Sequence, residues 1–125
     1  MKDMSYYAVQ LIAKSNDPSV KDVRFGTGCI LRYTGASSFH YILISNRHVI
    51  YPFDELRIKT GATDTILNSS EYKAFHPCDD DIDLAVVCLD SLLAGDPQIR
   101  EDLASRALSD RNIVSRTSEI GRAHV

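Results

Sequence analysis

Short apolar runs separated by turn residues constrain this chain more than any other feature of its sequence. They fall within residues 1–90 of the 125 and are rich in β-branched and aromatic side chains, which favour strands. The clearest runs are residues 5–13, 23–33, 40–45 and 83–89, with weaker ones at 55–59, 63–67 and 71–76. Several short strands at close spacing, with turns between them, predict an all-β barrel or sandwich.

Two glycines interrupt the second of these runs. Gly26 and Gly28 flank Thr27 inside residues 23–33. Because glycine weakens a strand interior and is frequent at bulges, the pattern predicts a bulge or a sharp bend at this point.

The pattern changes after residue 90. Asp96 is a favoured N-cap residue, Pro97 is a favoured first helical residue, and the apolar residues that follow lie on roughly one face. One short helix is therefore predicted over residues 97–108.

Composition excludes several classes of function. A formal net charge of −3 and a pI near 5.7 give no electrostatic reason to expect nucleic acid or an anionic membrane as a partner. No apolar run approaches the roughly 20 residues that span a bilayer. The first residues lack the apolar stretch of a secretory signal, so either the protein stays inside the cell or its true N-terminus is missing. The odd cysteine count agrees with the first alternative, and a cytoplasmic protein is expected.

The three cysteines are Cys29, Cys78 and Cys88, an odd number without a CxxC spacing. This pattern favours neither a disulfide framework nor a zinc site, and no metal or cofactor is expected. Cys29 and Cys88 lie in apolar runs and are predicted to be small buried residues.

A histidine and an aspartate stand at the ends of two apolar runs, where the core would fix their backbones. His48 follows the run YILIS, and Asp83 opens the run LAVVCL. An imidazole at a strand end suits a general base because its ordinary pKa lies at about 6.5. A carboxylate that begins a buried strand can orient the imidazole and stabilise its charged form. Asp81 is the less favoured alternative, since it would place charged Asp83 within the strand.

The other candidate groups have simpler interpretations. His40 and His76 lack a comparable context and are predicted to be surface or strand-edge residues. The acidic run at residues 79–83 lacks the spacing, the glycine and the closing glutamate of an EF-hand, so a solvated loop is expected rather than a calcium site.

Three segments carry a resemblance to a known family: GTGCIL at residues 26–31, ISNRHVI at 44–50 and DIDLAVV at 81–87. In this order they resemble the trypsin-like serine peptidases of the chymotrypsin fold, and most closely the bacterial-type intracellular members. The resemblance covers roughly residues 20–90. The order of histidine before aspartate is that of chymotrypsin, in which the nucleophilic serine follows both.

The resemblance implies an all-β fold, an antiparallel six-stranded barrel that forms the N-terminal half of a chymotrypsin-like double barrel, with a short C-terminal helix. Residues 1–90 would form this barrel, and residues 91–118 a helical or irregular connection toward a second barrel. It also implies that His48 is the general base, that Asp83 orients it, and that the intact protein is an endopeptidase acting on peptide or protein substrates.

The family's nucleophile lies in a Gly-x-Ser-Gly-Gly segment, and this chain has none. The chain is therefore expected to be a fragment, inactive as it stands, and a second barrel would add about 100 residues. That missing C-terminal barrel is the expected partner of the first. Two functional alternatives remain open: a non-catalytic binding module of peptidase fold, and a cysteine-nucleophile variant of the same fold. A small unrelated β-barrel that is complete at 125 residues is the remaining structural alternative.

Residues 119–125 (EIGRAHV) match the translation of a common sequencing adapter in one reading frame. They are expected to be non-biological, and His124 is given no functional role. The alternative is a native strand between two barrels that begins at Ser118.

Overall fold

The computed structural model describes residues 4–36 and 38–109. The end of the predicted connection and the proposed adapter-derived residues 119–125 lie outside this range. A 3₁₀ turn at Met4–Tyr7 is followed by the elements β1 (Ala8–Lys14), β2 (Val23–Thr34), β3 (Phe39–Ser45), α1 (Arg47–Ile50), β4 (Glu55–Lys59), β5 (Asp64–Asn68), β6 (Ala74–Phe75), β7 (Ala85–Cys88), α2 (Asp90–Gly95), α3 (Pro97–Ser105) and β8 (Leu108–Ser109).

The strands form one open, curled sheet, and the expectation of a predominantly β fold is confirmed. The order across the sheet is β5-β4-β1-β2-β3-β7-β6, with β8 added beside β2. All pairings along this path are antiparallel, whereas β8 runs parallel to β2. The two end strands, β5 and β6, are consecutive in the chain, so the sheet curls until its two edges are joined by residues 69–73.

The sheet has more strands than the six that were predicted, and it differs from the prediction at two elements. The strand expected at residues 71–76 is only Ala74–Phe75, because the N–H groups of Glu71 and Tyr72 both donate to the carbonyl of Asn68 and make a turn. The strand β8 lies where the C-terminal helix was expected to end. The sequence pattern for that region contained no strand signal.

The core fills the concave side of the sheet, where alternate residues of each strand point inward. In β1 the inward residues Val9, Leu11 and Ala13 are all at most 1% exposed, and their neighbours are not buried. Leu93 of α2 and Leu103 of α3 belong to the same buried cluster. The two C-terminal helices therefore pack on the sheet.

The predicted bulge at the glycines is wrong. Pairing of β1 with β2 continues without a gap through Gly26, Thr27 and Gly28. These glycines are needed for close approach: a methyl group at Gly26 would lie 2.7 Å from the Val49 side chain, and one at Gly28 would lie 2.8 Å from the backbone oxygen of Ile44.

The helix predicted at residues 97–108 is found at Pro97–Ser105, with Pro97 in its first turn. The carboxylate of Asp96 accepts hydrogen bonds from the backbone N–H groups of Gln98 and Ile99, as the N-cap pattern predicts. The preceding helix α2 was not predicted, because its six residues are too few for a helical period. No helix within residues 4–36 and 38–109 combines the length and apolar character needed to cross a bilayer.

A carboxylate from α3 ties the helix to the sheet. Asp102 accepts hydrogen bonds from the hydroxyls of Thr60 and Thr63, at 2.6 and 2.7 Å, and from Nε of Arg106 at 2.9 Å. Burial is the largest influence on the Asp102 carboxyl and raises its pKa, but these hydrogen bonds together outweigh it and lower the pKa. The loop between β4 and β5 is thereby fixed against α3.

The prediction of buried cysteines is wrong for Cys88, which is exposed, and Cys29 is only half-buried. Cys88 is the last residue of β7, and its side chain falls on the outward face of the strand because Val87 takes the inward position. Burial raises the pKa of the Cys29 thiol.

Candidate active site

The register of the sheet brings two separate loops to one place. Ser45, the last residue of β3, is paired with Ala85, the first residue of β7. Because the two strands are antiparallel, the residues that follow Ser45 lie beside those that precede Ala85. His48 comes three residues after Ser45 and Asp83 two residues before Ala85, so the pairing itself places them together.

The side chains of His48 and Asp83 are in direct contact. Nδ1 of His48 lies 2.5 Å from Oδ2 of Asp83. The backbone N–H of His48 donates to the other carboxylate oxygen, Oδ1, at 2.9 Å. Asp83 thus holds both the main chain and the ring of His48, which restricts the rotation of the imidazole.

The charge state of Asp83 determines which ring nitrogen can act as a base. The hydrogen bond from the His48 backbone N–H is the largest of several influences, and together they lower the pKa of the Asp83 carboxyl. An ionised carboxylate only accepts hydrogen bonds, so Nδ1 of the neutral ring must carry the proton. Nε2 is then the unprotonated nitrogen, on a side chain that is 72% exposed. This arrangement can accept a proton from a donor that approaches Nε2 from solvent or from a partner surface.

Asp81, the alternative aspartate, is not brought to His48. Its backbone N–H donates to the carboxylate of Asp79 within the acidic loop, and its side chain is exposed. Another member of this loop, Asp80, forms an ion pair with Arg47 at 3.1 Å. In residues 4–36 and 38–109, no three histidine, cysteine or acidic side chains converge as a metal site would require.

A second histidine–aspartate contact occurs at the other end of β3. Nδ1 of His40 lies 2.8 Å from Oδ2 of Asp90, and Oδ1 of Asp90 accepts the backbone N–H of Tyr41. His40 is thus more constrained than the predicted surface residue. Its ring stacks on Tyr33 at 5.1 Å, and a methyl group at Gly35 would lie 2.7 Å from Nε2, so this nitrogen faces the turn between β2 and β3.

The two pairs therefore differ in the exposure of the histidine. The side chain of His40 is 37% exposed and its Nε2 lies beside the turn, whereas the side chain of His48 is 72% exposed. His76, the third histidine of the described residues, bonds through Nδ1 to the carbonyl of Pro77 and packs edge-on against Tyr51. Among these three, His48 has the geometry expected of a proton acceptor.

Sequence reasoning missed three residues that fix the two loops. Asn46 donates from its side-chain amide to the carbonyl of Asp83 at 3.2 Å, which ties the loops directly. Ser45 is buried and donates to the carbonyl of Thr27 at 2.6 Å, which anchors the end of β3. Arg24 lies buried beneath α1 and donates to backbone carbonyls there. Asn46 and Ser45 belong to the ISNRHVI segment, and their position beside His48 was the only feature of the sequence that could have indicated their role.

An open cavity of about 400 Å³ adjoins this end of the sheet. Its walls include Ala8, Gly28, Ile44, Ser45, Asn46 and Leu84. Leu84 and its near neighbour Ile82 are 40% and 43% exposed, and they flank Asp83 along the chain. Apolar side chains are therefore exposed beside the histidine–aspartate pair.

The chain matches no protein-family model, no curated protein and no solved structure.

Proposed function

We propose that this chain is the N-terminal half of a trypsin-like serine endopeptidase, in which His48 is the general base and Asp83 orients it. The nucleophile and the oxyanion hole would belong to a second barrel. In this proposal the curled sheet is the six-stranded barrel of the family, with β5 and β6 as two parts of one strand that is interrupted by a turn.

One observation carries the proposal: a carboxylate binds both the backbone N–H and the Nδ1 of an exposed histidine. Orientation through Nδ1 leaves Nε2 available, which is the atom that deprotonates the serine in a His–Asp–Ser triad. In the His40–Asp90 pair Nδ1 also meets a carboxylate, but Nε2 faces the turn between β2 and β3 and the side chain is only 37% exposed. A histidine–aspartate contact alone is therefore not enough to indicate a general base, and the greater exposure of the His48 side chain is what favours catalysis.

The proposed chemistry begins when a serine hydroxyl of the second barrel donates its proton to Nε2 and attacks the substrate carbonyl carbon. The imidazolium that forms is stabilised by the Asp83 carboxylate, which is already ionised and already bonded to Nδ1. Nε2 then returns the proton to the leaving amine as the peptide bond breaks. This chain supplies the proton-transfer half of the reaction and no nucleophile.

Exposed apolar surface beside the His48–Asp83 pair favours contact with a partner barrel. Leu84 and Ile82 expose apolar surface next to Asp83, and the cavity of about 400 Å³ is lined by Ile44 and Leu108. Apolar groups exposed around a polar site are typical of an interaction surface. We therefore propose that the second barrel packs against this face and presents its serine to Nε2 of His48.

The reading frame of the gene provides the first test, because the proposal requires a Gly-x-Ser-Gly segment downstream. The second test is labelling of the extended protein by a serine-directed phosphonylating probe. We expect His48→Ala to lower the labelling rate by about 100-fold or more, since the serine then lacks its base. His76→Gln, which removes an imidazole outside the pair, should leave the rate within about twofold.

Each alternative gives its own outcome. A downstream cysteine in place of the serine would indicate the cysteine-nucleophile variant, which uses the same histidine. A complete reading frame without either nucleophile would overturn the enzymatic proposal and favour a binding module. Equal labelling of the wild type and His48→Ala would also overturn it.

A further inference from the structure

A buried arginine lies under the segment that carries His48. Arg24 is 8% exposed, although the residues on either side of it in β2, Val23 and Phe25, are 39% and 73% exposed. It occupies an inward position of the strand opposite Ala13, whose small side chain leaves room for the guanidinium. An arginine is almost never buried without partners, so its contacts require an explanation.

The guanidinium of Arg24 binds main-chain carbonyls instead of a carboxylate. Nη1 donates to the carbonyl of His48 at 3.5 Å, and Nη2 donates to the carbonyl of Pro52. Nε has no partner within the described residues, and Arg24 forms none of the ion pairs found there. Burial lowers the pKa of this guanidinium.

The sequence of the loop explains why these carbonyls need a donor. In a continuing α-helix the carbonyl of His48 would accept the N–H of residue 52. Residue 52 is proline, which has no N–H, so α1 ends and this carbonyl loses its helical partner. The preceding carbonyl, of Arg47, keeps its partner, the N–H of Tyr51 at 2.9 Å. Arg24 supplies the donor that Pro52 lacks, and it also binds the proline's own carbonyl.

We propose that Arg24 is a positioning residue that fixes the His48 main chain, so that Asp83 can hold the ring with Nε2 exposed. This inference rests on the proposed role of His48 as a base. Arg24 touches neither substrate nor reacting atoms in this account. By joining the carbonyls of residues 48 and 52 it sets the path of the segment between them, and the N–H of His48 that Asp83 binds is part of the same short helix.

The charged groups facing His48 allow the main-chain effect to be separated from a direct effect of charge. Asp83 binds the ring, Arg47 of the same helix is paired with Asp80, and Arg24 lies below in β2. Arg24→Met removes both the charge and the two donors. Arg24→Lys keeps the charge, but a single ammonium cannot reproduce the planar, two-armed contact. A main-chain effect must therefore appear in both variants.

The test measures the tautomer of each neutral imidazole by ¹⁵N NMR in the full 125-residue chain. In the wild type we expect His48 to be protonated at Nδ1, because Asp83 accepts there. Both Arg24 variants should lower the ratio of the Nδ1–H to the Nε2–H tautomer by about 2- to 10-fold, the range that corresponds to the net value of one hydrogen bond. Arg32→Met removes a partly buried arginine of the same strand, which lies over Phe39, and should leave the ratio unchanged.

His40 serves as the internal reference for folding. It makes the same kind of contact with Asp90, at the opposite end of β3, and its tautomer should stay the same in every variant. If His40 and His48 change together, Arg24 only stabilises the whole domain, and the proposal is overturned. A His48 tautomer that is unchanged in both variants, or changed in Arg24→Met alone, overturns it as well. None of these readouts depends on hydrolysis, so a failure of the peptidase proposal would be recognised separately.

Discussion

Replacing Gly28 by alanine would force a methyl group against the backbone of the neighbouring strand β3. The new Cβ would lie 2.8 Å from the backbone oxygen of Ile44 and 3.0 Å from terminal methyl carbons of Leu11 and Leu43. Both leucines are fully buried, and the oxygen belongs to the strand that pairs with Gly28. None of these atoms can move aside without separating strands or displacing core side chains.

The expected cost follows from these distances. Overpacking of a filled core destabilises by about 1–3 kcal/mol, and the lower unfolded-state entropy of alanine returns about 0.4–1 kcal/mol. A net loss of about 1–2 kcal/mol should lower the melting temperature of a domain of this size by about 4–8 °C. Thermal unfolding followed by far-ultraviolet circular dichroism measures the change directly.

Gly61→Ala is the matched control, since no atom lies within 4 Å of the position its Cβ would take, and its φ is not positive. Alanine at this site should raise the free energy of unfolding by about 0.4–1 kcal/mol. A melting temperature of Gly28→Ala at or above that of Gly61→Ala would show that the core around Gly28 is not overpacked by a methyl group.

Two substitutions and one change of pH test how α3 is held against the sheet and how the carboxylates Asp83 and Asp102 stabilise the fold. Asp102→Ala removes the acceptor that two threonines and an arginine share, and it should lower the free energy of unfolding in urea by about 2–4 kcal/mol. Glu101→Ala, at an exposed position, should change this free energy by no more than about 0.5 kcal/mol. Equal effects of the two substitutions would contradict the tie between α3 and the sheet. Asp96→Ala removes the N-cap of α3 and should cost about 1 kcal/mol in the same assay; an unchanged midpoint would exclude the cap. The pKa values of Asp83 and Asp102 are lowered in the folded chain. The stabilisation that the two carboxylates provide is therefore complete above the unfolded pKa of about 3.9, and it is lost as the pH falls through the folded pKa values. A free energy of unfolding that stays constant as the pH is lowered from about 4 would contradict this.

The parts of the fold that the sequence predicted are those set by local chemistry. Asp96 and Pro97 start a helix because a cap and a fixed φ act within one turn. The run at residues 5–13 contains most of β1 because aromatic and β-branched side chains favour an extended backbone locally. The position of His48 after an apolar run was similarly visible in the chain.

What the sequence did not predict depends on register. Arg24 stands between two apolar residues, so its own strand pattern favours an outward arginine with Val23 and Phe25 inside. The observed orientation is the reverse: Arg24 faces inward and its two neighbours face outward. Gly26 and Gly28 share the inward face with Arg24, because only glycine fits beneath Val49 and the Ile44 backbone. Likewise, nothing local joins His40 to Asp90; the antiparallel register of β3 and β7, which pairs Ile42 with Cys88, places them opposite each other.

The turnover number of the extended protein, measured for Asp83→Asn and for Asp81→Asn, distinguishes an aspartate that orients His48 from one that only lies nearby in the chain. The two substitutions remove the same charge from carboxylates two residues apart, but only Asp83 binds Nδ1 of His48. We predict that Asp83→Asn lowers kcat for a peptide substrate by about 10⁴-fold because the amide favours the wrong tautomer of the imidazole, while Asp81→Asn changes it by less than about threefold. Equal losses in the two variants, or full activity in Asp83→Asn, would contradict the proposed role of Asp83 in orienting His48.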